Sequence, residues 1–280
     1  MEYFDLEELF MQSVKEIVLN DKEKYKNIKD IEKNLMQMYL DWTMRSNSVL
    51  DGFTPIEYVA FLDKSGNLFD YIEYMLNTGR EVSDIVTDKL LARSDASEFV
   101  KRLLNSNEQN TMKYAFTVLF ELGGEELRDA CIELIANGEK NQDKLAACYE
   151  FLSEAGEDTT DKILALMYQV DEEAQMLFAD ILSNYRNNEN IFMWLVTLLY
   201  RGDDICQTAA MLGRYGDKKA VDLINSYVTD KDLNYNEFIE LRNAVERLGG
   251  EFLYEKDFSG DKYYRLIVEK NNKENENDNA

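Results

Sequence analysis

The chain is 280 residues long and 45% hydrophobic, with 55 acidic against 31 basic residues, a formal net charge of −24 and no histidine. An acid excess of that size argues against a nucleic-acid partner, because affinity for a polyphosphate depends on Lys and Arg displacing counterions. The missing histidine excludes Ser–His and Cys–His nucleophile systems and His-ligated zinc, and one proline with 13 glycines favours long helices over many-turned β architecture.

The opening Met1-Glu2-Tyr3-Phe4-Asp5 lacks the basic and apolar regions of a secretory signal. Two amphipathic helices follow. Leu6, Phe10, Val14 and Ile17 share one face, and Ile28, Ile31, Leu35, Met38 and Trp42 recur at helical spacing on the next. Asn20-Asp21 separates the two, and a largely polar loop occupies residues 45–53. Thr54-Pro55, with Glu57 three residues after the threonine, spells a capping box with proline in the first turn, where no amide donor is needed. The stretch Leu50-Asp51-Gly52-Phe53-Thr54-Pro55-Ile56-Glu57 resembles a segment of bacterial helical proteins, a likeness that carries no function with it. A further apolar helix, built on Leu68, Phe69, Tyr71, Ile72, Met75 and Leu76, stops near Gly79.

From there a repeat of about thirty residues begins. A leucine-like residue, three spacers, a glycine and an acid recur in Phe120-x-x-x-Gly124-Glu125, Leu152-x-x-x-Gly156-Glu157 and Leu212-x-x-x-Gly216-Asp217. Leu90-x-x-x-Ser94-Asp95 substitutes serine, Leu182-x-x-x-Arg186 keeps only the spacing, and Val245 leads to Gly249-Gly250-Glu251. The breakpoints at 94, 124, 156, 186, 216 and 249 are 30, 32, 30, 30 and 33 residues apart, a period that marks stacked helical arrays. Each unit is expected to be a helix ending in the leucine motif, a glycine turn, and a second helix whose opening acid meets the positive end of its dipole. Asn234 with Glu237 makes a second capping box before the last helix.

The run Ala209-Ala210-Met211-Leu212-Gly213, continuing through Gly216-Asp217 to Ala220-Val221-Asp222-Leu223-Ile224, resembles a HEAT repeat, and Ala244-Val245 with Leu248-Gly249 matches it in part. No unit carries that family's proline in its first helix, and Tyr185-Arg186-Asn187-Asn188 lacks the glycine turn. The resemblance implies an all-α fold, an α-α superhelix or HEAT-like solenoid of two-helix repeats, and a role in binding other proteins. After Gly250, Glu251-Phe252-Leu253-Tyr254 and Lys262-Tyr263-Tyr264-Arg265-Leu266-Ile267-Val268 read as β-rich arms around a turn, so a small C-terminal β-hairpin is expected. The expected division is an N-terminal helical region packed on the array (1–80), HEAT-like repeats (81–250), a hairpin cap (251–270) and a disordered tail (271–280).

The acidic groups Glu125-Glu126-Asp129, Asp158-Asp161 and Asp171-Glu172-Glu173 stand at expected helix starts, where capping and the dipole account for them. An enzyme using such carboxylates with Mg²⁺ or Ca²⁺ is the less favoured reading, since no EF-hand loop is present. Gly123-Gly124 and Gly249-Gly250 end helices and are not followed by a P-loop lysine. No catalytic, cofactor-binding or metal residue is therefore assigned, and no cofactor is expected. Cys131, Cys148 and Cys206 are widely spaced with no CxxC, as suits buried thiols in a reducing compartment. The longest apolar run, 191–200, is about half of what a bilayer crossing needs, so a cytoplasmic protein with no membrane partner is expected. The expected partner is a protein or peptide, and the acidic surface suits a basic one. An alternative is an acidic immunity-type inhibitor that neutralises a basic toxin or nuclease. The unit that breaks the repeat rule supplies the candidate contacts: Tyr185, Arg186, Trp194 and Tyr200, with a core position as the competing expectation for Trp194.

Overall fold

The computed structural model describes residues 3–156 and 158–266. They form fifteen α-helices, a 3-10 turn at Ser48–Leu50 and a helical turn at 262–266, with no strand among them. The chain divides into two compact units, Met1–Ala130 and Cys131–Ala280, with the division inside α8 (Gly124–Ala136).

The first unit holds α1 (Leu6–Asn20), α2 (Ile28–Thr43), α3 (Pro55–Lys64), α4 (Leu68–Asn77), α5 (Asp84–Leu91), α6 (Ala96–Leu103) and α7 (Gln109–Leu122). Local chemistry starts these helices. The Asp5 carboxylate accepts from the Glu8 amide at 2.9 Å, and the Asn27 side chain accepts from Asp30. Thr54 and Glu57 close both halves of their capping box. The helices then bury one face each. Phe10, Tyr39 and Trp42 pack ring against ring with centroids 5.0–5.8 Å apart, joining α1 to α2. Phe69 and Phe99 stack at 4.1 Å, joining α4 to α6. The buried Tyr71 hydroxyl donates to the Phe4 carbonyl at 2.9 Å, which pins the chain start onto α4. Arg93 bridges Asp95 and Asp63, and Lys89 reaches the same Asp63 at 3.0 Å, so α3 is tied to α5.

Glu7 occupies an unfavourable place in this unit. It is half-buried, and burial first, then the charges of Asp84, Glu81 and Asp5, push its carboxyl above the ordinary range. A raised carboxyl is protonated more readily in the folded chain than in the unfolded one. The penalty that Glu7 imposes is therefore absent below the unfolded value near pH 4.3 and grows as pH rises through the folded value. Glu7→Gln is expected to raise the thermal midpoint at pH 7 by the equivalent of about 1 kcal/mol or less, since solvent screens these charges. No gain should remain near pH 4. Thermal unfolding at both pH values checks this, and an equal gain at both would refute the charge argument.

The second unit continues from α8 through α9 (Gln142–Glu154), α10 (Asp158–Leu166), α11 (Glu172–Leu182), α12 (Glu189–Arg201), α13 (Ile205–Tyr215), α14 (Ala220–Asp230) and α15 (Tyr235–Arg247). Helices pack on their neighbours and on the next but one: α9 on α11, α12 on α14, and α13 on α15. The α13–α15 approach is close because Gly213 has no side chain; a Cβ there would stand 3.3 Å from Ala244 Cα. The chain reverses at Gly216 with φ +85°, a left-handed conformation that glycine adopts without strain. The turn that lacks a glycine finds the same solution one residue later, with Asn187 at φ +65°. Glu157 lies outside the described residues.

Residues 251–258 run as an irregular segment, and the expected β-hairpin is corrected here. The Asn225 side-chain amide takes the role of a partner strand. Its Nδ2 donates to the Glu251 carbonyl at 3.1 Å and its Oδ1 accepts from the Leu253 amide at 3.3 Å. Phe252 and Phe258 seat against Phe238 of α15 at 5.1 and 5.0 Å. Asp261 then accepts from the amides of Tyr263 and Tyr264, which starts a helical turn where the second arm was expected. Residues 267–270 and the expected tail, 271–280, lie outside the described residues.

Candidate functional site

Two of the four candidate contacts, Trp194 and Tyr200, lie in α12 and two, Tyr185 and Arg186, in the turn before it, and the fold does not bring the four into one patch. Trp194 is 3% exposed, in a core row with Ile191, Leu195 and Leu198, and offers no surface to a partner in this conformation. Tyr185 is half-buried, and its hydroxyl donates to the Leu152 carbonyl at the end of α9. Arg186 is exposed and lies against the following turn, its guanidinium carbon 3.7 Å from where a Cβ would stand on Gly216. Tyr200, at 43% exposure, packs its ring edge-on to Tyr227 with centroids 5.5 Å apart. Arg186 lies in the turn before α12 and Tyr200 near its last residue, at opposite ends of a 13-residue helix roughly 20 Å long at about 1.5 Å per residue.

The turn at 185–188 joins the helices around it. The Tyr215 hydroxyl donates to the Asn188 carbonyl at 2.7 Å and accepts from the Asn188 amide at 2.8 Å. Arg214 bridges Asp180 of α11 and the Tyr149 hydroxyl of α9. Asn184 donates to Ser153 at 3.4 Å. These bonds link the C-terminal ends of α9, α11 and α13, and among the four candidate residues Tyr185 takes part through its bond to Leu152.

The acidic groups are likewise engaged locally. Asp171 accepts from the Ala174 amide at 2.8 Å as the α11 cap, and Glu126 pairs with Lys101 and Ser97, each at 2.8 Å. Among the described residues, no group of three or more acidic or cysteine side chains is arranged to hold a metal ion. Cys131 and Cys148 are buried and adjacent. The Cys148 contact first, and burial second, push the Cys131 thiol upward, which makes it a poor nucleophile. No helix of the described residues is long and apolar enough to cross a membrane.

Sequence reasoning missed the surface where apolar side chains collect. Of the twenty exposed large hydrophobic residues among those described, eleven fall within the first 61 positions, which moves the candidate interface to α1–α3. Ile28 and Leu35, expected on the core face of α2, are exposed, Ile28 at 73%, and Met36, Leu40 and Met44 line the helix further along, Met36 at 71%. The i, i+4 spacing of Met36, Leu40 and Met44 was the available signal. Met38 and Trp42 close the packing with α1, and the opening turns of α2 are left uncovered.

No family model matches the chain, and neither a curated protein nor a solved structure matches it.

Proposed function

We propose that the chain is a non-enzymatic protein–protein interaction scaffold built as a HEAT-like α-solenoid of two-helix repeats and working in the cytoplasm. The observation that carries this reading is the agreement of two independent periods. The breakpoints at 94, 124, 156, 186 and 216 fall at junctions between consecutive helices, the one at 249 follows the end of α15, and in the second unit α9 packs on α11, α12 on α14 and α13 on α15. Repetition of this kind gives extended binding surfaces. The exposed aliphatic residues of α1–α3 supply apolar contact area of the sort that marks interaction sites.

A second reading rests on the charge of −24: an acidic immunity-type inhibitor that captures a basic toxin or nuclease. One experiment addresses both. Full-length protein immobilised on beads and exposed to lysate of the source cells is expected to retain a protein partner at about 50 mM salt, where surface charges act over some 10–15 Å. Release at about 500 mM salt, with a basic partner, favours the inhibitor. Retention at both salts favours the apolar scaffold. Nothing retained above empty beads at either salt overturns the reading.

A further inference from the structure

Between the end of α1 and the C-terminal half of α2 lies a cleft of about 220 Å³, whose walls include Ser13, Ile17, Tyr25, Met38, Trp42 and Arg45. Trp42 is a core residue, yet its indole N–H is buried with no acceptor among the described residues. Buried indoles ordinarily find a partner, because an unmade bond costs the full desolvation of the donor. Packing against Phe10 and Tyr39 holds the ring in place.

Arg45 stands one turn further on, its amide donating to the Trp42 carbonyl at 3.0 Å. Its guanidinium is exposed and makes no ion pair among the described residues, in a chain where acids far outnumber bases. Of the cleft's other polar groups, which include the Asp41 carboxylate, three more are engaged. Gln37 donates to Asp41 at 2.8 Å, Asn34 donates to the Asp30 carbonyl at 2.7 Å, and the Lys24 ammonium lies 5.1 Å from the centre of the Tyr25 ring. Two strong donors lacking acceptors therefore adjoin an apolar wall of Ile17 and Met38.

We propose that this cleft binds a small organic carboxylate. One carboxylate edge meets the Arg45 fork, whose planar geometry suits it. An oxygen takes the Trp42 N–H, with side-chain rearrangement at the cleft wall because that N–H is closed off from solvent. The hydrocarbon body lies on Ile17, Met38 and the Tyr25 ring. Pockets for drug-sized ligands run to about 300–1,000 Å³, so the ligand is smaller, an aromatic or short-chain acid. This site is separate from the scaffold reading and stands or falls without it.

The chain has two tryptophans, Trp42 and Trp194. Full-length protein carrying Trp194→Phe, which keeps an aromatic ring in that core, makes Trp42 the sole tryptophan, whose emission is read apart from that of tyrosine by excitation at the red edge of the indole band. Titration with benzoate and with hexanoate is expected to shift Trp42 emission and saturate, while neutral benzamide and inorganic sulfate leave it unchanged. Arg45→Ala, an exposed change that spares the fold, is expected to weaken binding at least about tenfold, the loss of one charge-assisted pair. Thermal shift with the same acids on the unaltered chain gives a readout independent of fluorescence. No saturation by either acid up to about 10-fold above a millimolar Kd, equal binding of benzamide, or unchanged affinity in Arg45→Ala overturns the proposal.

Discussion

Replacing Trp194 with alanine is expected to cost about 3–5 kcal/mol of folding stability, the usual result of emptying a large aromatic site in a core. Trp194 is almost wholly buried, and α12 packs against α11, α13 and α14, so the cavity would open where several helices meet. Denaturant unfolding measures the loss. The competing role, as a partner contact, makes the opposite forecast: a cost within about 0.5 kcal/mol, as for ordinary surface substitutions, with partner capture reduced. A loss that small would return Trp194 to the surface.

The second large effect is expected at the start of α9, where Lys144 is buried to 2% side-chain exposure. Its ammonium donates to Glu139 at 3.1 Å, and the same carboxylate accepts from the amides of Asn141 and Lys140, each at 2.8 Å. The Asn141 amide foremost, with the Lys144 charge, holds the Glu139 carboxyl below the usual range. A depressed carboxyl contributes stability that is present above its unfolded value and is lost as pH falls through the folded one. Glu139→Gln leaves a buried ammonium without its counter-charge. The expected cost is about 3 kcal/mol, the low end for a broken buried pair because Glu139 keeps some contact with water. Lys144→Met alone should cost under about 1 kcal/mol, since Glu139 retains its two amides. The double variant should recover most of the loss in Glu139→Gln. A double variant as unstable as Glu139→Gln would show that the carboxylate acts on the loop and not on the lysine.

These two residues also show what the sequence made legible. The helical class was readable because the devices that start and stop helices are local: Thr54 with Glu57, and Asn234 with Glu237, each act over three residues. The turns at Gly156 and Gly216 were readable for the same reason, as single positions that need positive φ. Features that depend on distant partners were hidden. Ile28 and Leu35 carry a core pattern, but whether a helix covers them depends on how far α1 reaches. The hairpin pattern after Gly250 was overridden by Asn225, about 26 residues earlier, whose side chain satisfies the backbone that a second strand would have paired. Burial of Lys144 contradicts every compositional expectation for lysine and follows only from the packing around it. In the candidate site, density of aromatics pointed to α12, but aromatic residues serve cores and interfaces alike. Sequence spacing could not tell Trp194, which is buried, from Tyr200, which is exposed.

Segment-resolved amide hydrogen exchange on full-length Trp194→Ala, compared with the unaltered chain, tests the stacked-repeat architecture most directly. In an array each unit leans only on its neighbours. Protection should therefore fall most in α11 to α14, less in α9 and α15, and least in α1 to α4. A loss of the same size in every helix from α9 to α15 would mean that those residues unfold as one closed body, and would contradict the solenoid.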